Sequence, residues 1–224
     1  MPVRALTAVV LACVATAMAC TPALARIIEV GKTATDNPPS CPSSPCLAVS
    51  RTTGYQVKVG TERDMFVAPA SGKIVAWSIA LGKPGKKQRA FFESNFGGAA
   101  LAGISILKPG RKSYGRVTGQ SPVQALTPYF GQTVQFPLGR ALNVKKGYVV
   151  ALTVPSWAPA LAVGLGNDTS WRASRPKAKC TDTGTQTAQQ RLGGLAQYRC
   201  LYHKARLTYS ATLITTPRSG STAG

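Results

Sequence analysis

Tyr148-Val149-Val150-Ala151-Leu152-Thr153-Val154 is the stretch on which the reading of this chain turns. In an extended backbone successive side chains point to opposite faces, so Tyr148, Val150, Leu152 and Val154 share one face and Val149, Ala151 and Thr153 the other. Both faces are largely apolar. A strand of that kind belongs in the middle of a sheet that is covered on each side. The turn Lys145-Lys146-Gly147 starts it.

Outward from this strand, the period of two recurs with one polar face. In residues 206–213, Leu207, Tyr209, Ala211 and Leu213 alternate with Arg206, Thr208, Ser210 and Thr212. In residues 73–79, Val75, Trp77 and Ile79 share a face and Ala76 and Ser78 oppose them. Shorter strand candidates stand at 27–30, 47–51, 55–59, 65–67, 103–107, 132–136, 160–164 and 198–202. Turns such as Pro69-Ala70-Ser71-Gly72 and Lys108-Pro109-Gly110 separate them. Helical periodicity is nearly absent; residues 91–102 offer one short turn of helix, which Gly97 and Gly98 interrupt. The pattern predicts an all-β protein, a two-sheet antiparallel β-sandwich of the jelly-roll kind.

The ends bound the domain. Arg4 precedes an uncharged, mostly apolar run at 5–19, and Ala23-Leu24-Ala25 offers small residues to a signal peptidase. The expectation is a signal peptide at 1–25, a single sandwich domain at 26–215 and a disordered Ser/Thr/Gly/Pro-rich tail at 216–224. The apolar run is short for a membrane span, which needs about 20 residues. The localisation expected is therefore secreted, with lipid anchoring through Cys20 after Ala17-Met18-Ala19 as the minor alternative.

Cysteine usage agrees with export. Cys13 and Cys20 fall in the segment expected to be removed, leaving Cys41, Cys46, Cys180 and Cys200. Four cysteines allow three pairings; Cys41 with Cys46 and Cys180 with Cys200 are favoured, because each pair brackets a loop-like stretch. No close Cys-x-x-Cys pair and a single histidine, His203, argue against zinc, and no metal or other cofactor is expected.

Charge is the extreme feature: 27 Lys+Arg against 7 Asp+Glu, a formal +20. Outside a cell such a balance meets acidic glycans, wall polymers and lipid headgroups. The clusters Lys83, Lys86, Lys87 and Arg89, then Arg111 and Lys112 with Arg116, then Arg175, Lys177 and Lys179 all lie in turn-like segments. Converging at one end, they would make a polyanion-binding patch. No RNP-like strand pair or helix-turn-helix points to specific nucleic-acid recognition.

Catalytic chemistry finds little support. Glu62 and Asp64 share a face at i, i+2 but flank Arg63 beside the turn Gly60-Thr61, the setting of a solvated turn. His203 has no Gly-x-Ser-x-Gly nucleophile elbow to serve, and Gly193-Gly194 lacks the lysine of a phosphate loop. The chain is expected not to be an enzyme. Binding is the better reading. Trp157 lies in the proline-flanked 154–159 segment, and Trp171 follows the polar stretch Asn167-Asp168-Thr169-Ser170. Exposed, the two rings could stack on sugars while Asn167, Asp168 and Arg172 bond to hydroxyls or carboxylates. The alternative is that both tryptophans plug the ends of the core, as large aromatics usually do.

Two segments carry a resemblance. Phe66-Val67-Ala68-Pro69-Ala70-Ser71-Gly72-Lys73-Ile74-Val75-Ala76-Trp77 and Leu142-Asn143-Val144-Lys145-Lys146-Gly147-Tyr148-Val149-Val150-Ala151-Leu152 are similar to recurring segments of secreted actinobacterial β-sandwich proteins, jelly-roll domains akin to carbohydrate-binding modules. Such domains often carry an acidic residue after the glycine, where this chain has Tyr148. The likeness spans roughly residues 66–164. It implies a fold and no activity. Together these readings anticipate an extracellular, non-enzymatic binding protein for envelope or other glycans. The rival is a structural protein whose basic surface adheres to anionic polymers.

Overall fold

The computed structural model describes residues 24–182 and 186–217. The expected signal peptide therefore falls almost wholly outside the described residues, as does most of the expected tail. Among the described residues no helix is long and apolar enough to cross a membrane.

The chain runs through β1 (Ile27–Val30), β2 (Val49–Val59), β3 (Glu62–Arg63), β4 (Gly72–Ala80), α1 (Lys86–Phe96), β5 (Leu101–Pro109), β6 (Tyr114–Gln120), β7 (Gln124–Ala125) and β8 (Thr133–Val144). It continues through β9 (Val149–Ala158), β10 (Leu161–Val163), β11 (Ser170–Ala173), β12 (Leu195–Gln197), β13 (Cys200–His203), β14 (Ala205–Leu207) and β15 (Tyr209–Thr215). A four-stranded antiparallel sheet has the order β1-β15-β4-β8, and β10 pairs with β14 alone. The second main sheet is nine-stranded and runs β12-β6-β5-β9-β2-β11-β13, with β3 on β2 and β7 on β5. This is an all-β antiparallel sandwich. The pairing stops short of fixing a jelly-roll order.

Strands β12 and β13 stand at opposite ends of that order, yet only Tyr198 and Arg199 separate them in the chain. The larger sheet must therefore curl until one continuous stretch closes its two edges. Tyr198 N–H donates to Ser113 O (2.7 Å) on one side, and Arg199 N–H to Arg175 O (3.1 Å) on the other. Closure of this kind removes exposed sheet edges.

The sandwich core lies between the sheets. From β9, central between β5 and β2, come Val150, Leu152 and Val154; the four-stranded sheet supplies Ile74, Trp77, Ile79, Ala211 and Leu213. Tyr209 crosses the gap. Its ring stacks on Phe66 with centroids 4.1 Å apart, and its hydroxyl donates to Val150 O (2.9 Å). Burial holds its phenol well above the usual tyrosine range.

Several sequence expectations change in detail. Ile74, rather than Val75, is buried with Trp77 and Ile79, because a register shift between Ile74 and Ala76 turns the strand over. The candidates at 47–51 and 55–59 are one strand, β2, irregular between Ser50 and Thr52, where Arg51 has φ 41°. Residues 65–67 form no strand and contribute one bridge, Val67 to Val149. The helix begins earlier than expected, inside the segment read as a basic turn. Gly85 N–H is capped by Gln88 Oε1 (2.7 Å), and Gly97 ends the helix at φ 99°. Both favoured disulfides are present, Cys41–Cys46 and Cys180–Cys200.

Candidate functional site

The outer face of the four-stranded sheet forms the floor of a cleft of about 690 Å³. Alternation puts Leu207, Tyr209, Ala211 and Leu213 of the 206–213 stretch in the core, which turns Ser210 and Thr212 outward. Register then does the rest. Ser210 pairs with Ser78 and Ser78 with Gln135, so three polar side chains stand in one row across β15, β4 and β8. None of the three side chains bonds to another described residue. Thr133 stands two residues before Gln135 on the same side of β8, and Glu29 on β1 accepts a hydrogen bond from the Thr212 hydroxyl (2.6 Å).

One wall of the cleft is the segment 31–37. Gly31 starts it at φ 90°, and a Cβ there would lie 2.2 Å from the Phe66 ring, so only glycine permits this approach. Half-buried Arg206 pins the wall to the sheet by donating to Thr35 O and to Asn37 Oδ1 (3.0 Å). Burial lowers the Arg206 pKa, while nearby Asp36 and Glu62 oppose that shift. Ala34 N–H donates to Glu62 Oε1 (3.3 Å), which gives Glu62 a structural partner at the back of the wall.

A second row of polar side chains crosses the larger sheet. Thr53 donates to Thr153 Oγ1 (3.2 Å), which shares a hydrogen bond with Ser105 Oγ (2.6 Å). Gln120 Nε2 donates to Ser105 Oγ (3.2 Å) and to Gln189 O (2.6 Å), and Gln189 N–H returns to Thr53 Oγ1 (2.9 Å). The circuit is closed, and Thr53, Thr153 and Ser105 are buried beneath the segment that carries Gln189.

The tryptophans do not form an exposed platform. Trp157 lies within β9 rather than on a loop, fully buried against Phe92 (5.0 Å) and Phe130 (5.6 Å). Its indole donates to Gly98 O (2.7 Å), which fastens the end of α1 to the sheet. Trp171 is buried on β11 against Tyr202 (4.7 Å), and its Nε1 finds no partner among the described residues. Asn167 and Asp168 are exposed on the turn before β11, while Arg172 donates to Tyr198 O (3.1 Å). Those five residues thus divide between core, turn and a backbone bond.

The basic clusters stand on separate elements. Lys83, Lys86, Lys87 and Arg89 are exposed at α1, before the start of β5, whereas Arg111 and Lys112 are exposed on the turn after its end. Lys177 and Lys179 are exposed near the Cys180–Cys200 disulfide, and Lys179 pairs with Asp182 (3.4 Å). Arg175, expected in a surface patch, is instead buried. It donates to Tyr202 Oη (2.6 Å) and Ser50 O (3.1 Å), and burial lowers its pKa. The Tyr202 hydroxyl in turn donates a hydrogen bond to Cys180 O (2.6 Å). Arg116 is likewise bonded to Gly193 O (2.9 Å).

His203 is exposed on β13, opposite Ser170. Among the described residues no three His, Cys, Asp or Glu side chains gather as a metal site would require. No protein-family model, curated protein or solved structure matches the chain.

Proposed function

We propose that this is an exported, non-enzymatic protein that binds a polysaccharide along the cleft of the four-stranded sheet. The observation that carries the reading is the row Ser210–Ser78–Gln135, three side chains with free hydrogen-bonding capacity on the floor of an open cleft. A sugar chain is dense in hydroxyl groups that both donate and accept, which matches such a floor better than an apolar ligand would. Acidic and basic groups both line the cleft, Glu29 and Asp36 with Lys32 and Arg206, so its chemistry favours a neutral glycan. Export rests on the N-terminal sequence and is compatible with two disulfides.

The test is binding of the purified protein to neutral and acidic polysaccharides at low and moderate salt, beside the variants Ser78→Val and Gln135→Leu. Each hydrogen bond is worth roughly 1 kcal/mol, so each variant should weaken binding about five- to tenfold, with little dependence on salt. Binding that disappears with salt and ignores both variants would overturn the proposal. It would favour adhesion to anionic polymers, the reading supported by exposed Lys83, Lys86, Lys87, Arg111, Lys112 and Lys177, none with an acidic partner among the described residues.

A further inference from the structure

Helix α1 hides little of its apolar surface. A surface helix ordinarily turns an apolar stripe to the core. Here Phe92 alone is buried, against Trp157, while Phe91 is 56% exposed. Phe91, Phe92 and Phe96 touch one another, with centroids 5.8–6.2 Å apart, and form one wall of a groove of about 370 Å³. The facing wall is Cys46, Leu47 and Ala48, with Leu47 46% exposed. Both walls are fixed. The Cys41–Cys46 disulfide closes one, and Gln88 Nε2 ties the helix to that loop through Pro42 O (3.2 Å). The groove is thus preformed and of the size that small ligands occupy, roughly 300–1,000 Å³.

Its rim is cationic. Lys87 lines the groove, exposed Lys86 adjoins it, and Lys83 stands by the disulfide loop, its N–H donating to Cys41 O (3.3 Å). The Arg51 guanidinium lies 5.6 Å from the Phe96 ring centre. Among the described residues no carboxylate lines the groove, and the helix's own Glu93 is turned to Arg89 (3.5 Å). A second copy of the chain would bring like-charged rims together, which costs rather than gains free energy. An apolar slot with lysines at its edge matches a molecule with an apolar body and a negative end.

We propose that this groove binds a single-chain anionic amphiphile, its alkyl chain between Phe91 and Leu47 and its head group at Lys87 and its neighbours. The site shares no residue with the glycan cleft and does not depend on that reading.

The experiment is calorimetric titration of the purified protein with sodium dodecanoate, and separately with dodecylammonium chloride, both below micelle formation. Dodecanoate should bind with 1:1 stoichiometry. Phe91→Asp should weaken it by about tenfold or more. Lys87→Glu should weaken dodecanoate and strengthen dodecylammonium. Arg111→Glu, at the far end of β5, should change neither. All three positions are exposed, and an unchanged melting temperature confirms that each variant is folded. The proposal fails if dodecylammonium binds the unaltered protein as tightly as dodecanoate, or if Phe91→Asp leaves affinity intact. It also fails if only bilayer vesicles of anionic phospholipid are bound, since that would make the patch a membrane-surface contact.

Discussion

On the larger sheet, hydrogen bonds link Thr53, Thr153, Ser105 and Gln120 across β2, β9, β5 and β6, with Ser105 diagonal to Thr153; on the smaller, Ser210, Ser78 and Gln135 stand side by side across β15, β4 and β8. The residue chemistry is nearly the same and the surroundings are opposite. The first row bonds within itself and to Gln189, and a segment of chain lies over it. The second bonds to nothing described and faces an open cleft. Hydroxyls on a strand do not make a site by themselves. What separates structure from a place for a ligand is whether the chain supplies its own cover, because a buried polar group needs a partner and an exposed one has water until something better arrives.

The comparison breaks most visibly where the cover is tied down. Cys180–Cys200 closes a loop of sequence separation 20 that contains Gln189, against a separation of 5 for Cys41–Cys46. Replacing both Cys180 and Cys200 by Ser should cost about 3 kcal/mol, and the shorter loop about 1 kcal/mol less. Thermal unfolding of the two double variants measures the order. Amide exchange at Gln189 should quicken in the first variant and not in the second.

Thr153→Val strikes the covered row itself. The valine fills the same space, but Thr53 loses its acceptor and Ser105 one of its two partners, both residues fully buried. A loss of about 1–3 kcal/mol is expected in denaturant titration. No loss would mean that the circuit stores little and that the cover is held by other contacts.

A milder probe is Tyr198, which lies on the covered side. Its ring packs on Tyr55 (5.6 Å), but its hydroxyl has no partner among the described residues, and burial holds its pKa far above the usual tyrosine range. Tyr198→Phe should leave stability unchanged near neutral pH or raise it by up to about 1 kcal/mol. The sign is clearer in alkali. The unfolded chain ionises this phenol near pH 10 while the folded chain keeps it neutral, so folding loses stability as pH rises above about 10. The phenylalanine variant should lose less over that range, as chemical denaturation at pH 9 and pH 11 would read.

The legible part of this molecule was its periodicity. Alternation in 206–213 put Leu207, Tyr209, Ala211 and Leu213 inward and Ser210 outward, and apolarity on both faces of the 148–154 stretch placed it centrally; the structure has both. Side-chain direction is local, and sequence carries it. The cleft was illegible because a row across strands depends on register and strand order, which bring Ser78 beside Ser210 from 132 residues away. Pro155 and Pro159 flank Trp157 in the manner of a loop, yet β9 runs through Pro155 to Ala158 and carries the ring inside. Helix α1 was obscured for the reverse reason: Lys86, Lys87 and Arg89 read as a charged turn, and the contacts that seat a helix there, Phe92 on Trp157 and Gln88 on Pro42 O, come from distant parts of the chain.

The smallest effect on stability is the sharpest test of the contrast. Ser210→Val makes the same kind of exchange as Thr153→Val, a hydroxyl for a methyl on a sheet face, but at a half-buried position whose hydroxyl holds no partner among the described residues. No buried group is orphaned by it, and a β-branched side chain suits a strand, so stability should move by less than about 0.5 kcal/mol. Polysaccharide binding should nevertheless fall about five- to tenfold, because the hydrogen bond lost is one made only to the ligand. The covered row thus loses stability with no change in binding, and the open row loses binding with no change in stability. If Ser210→Val destabilised the fold as much as Thr153→Val, the open row would be structural after all, and the cleft would lose its claim to a ligand.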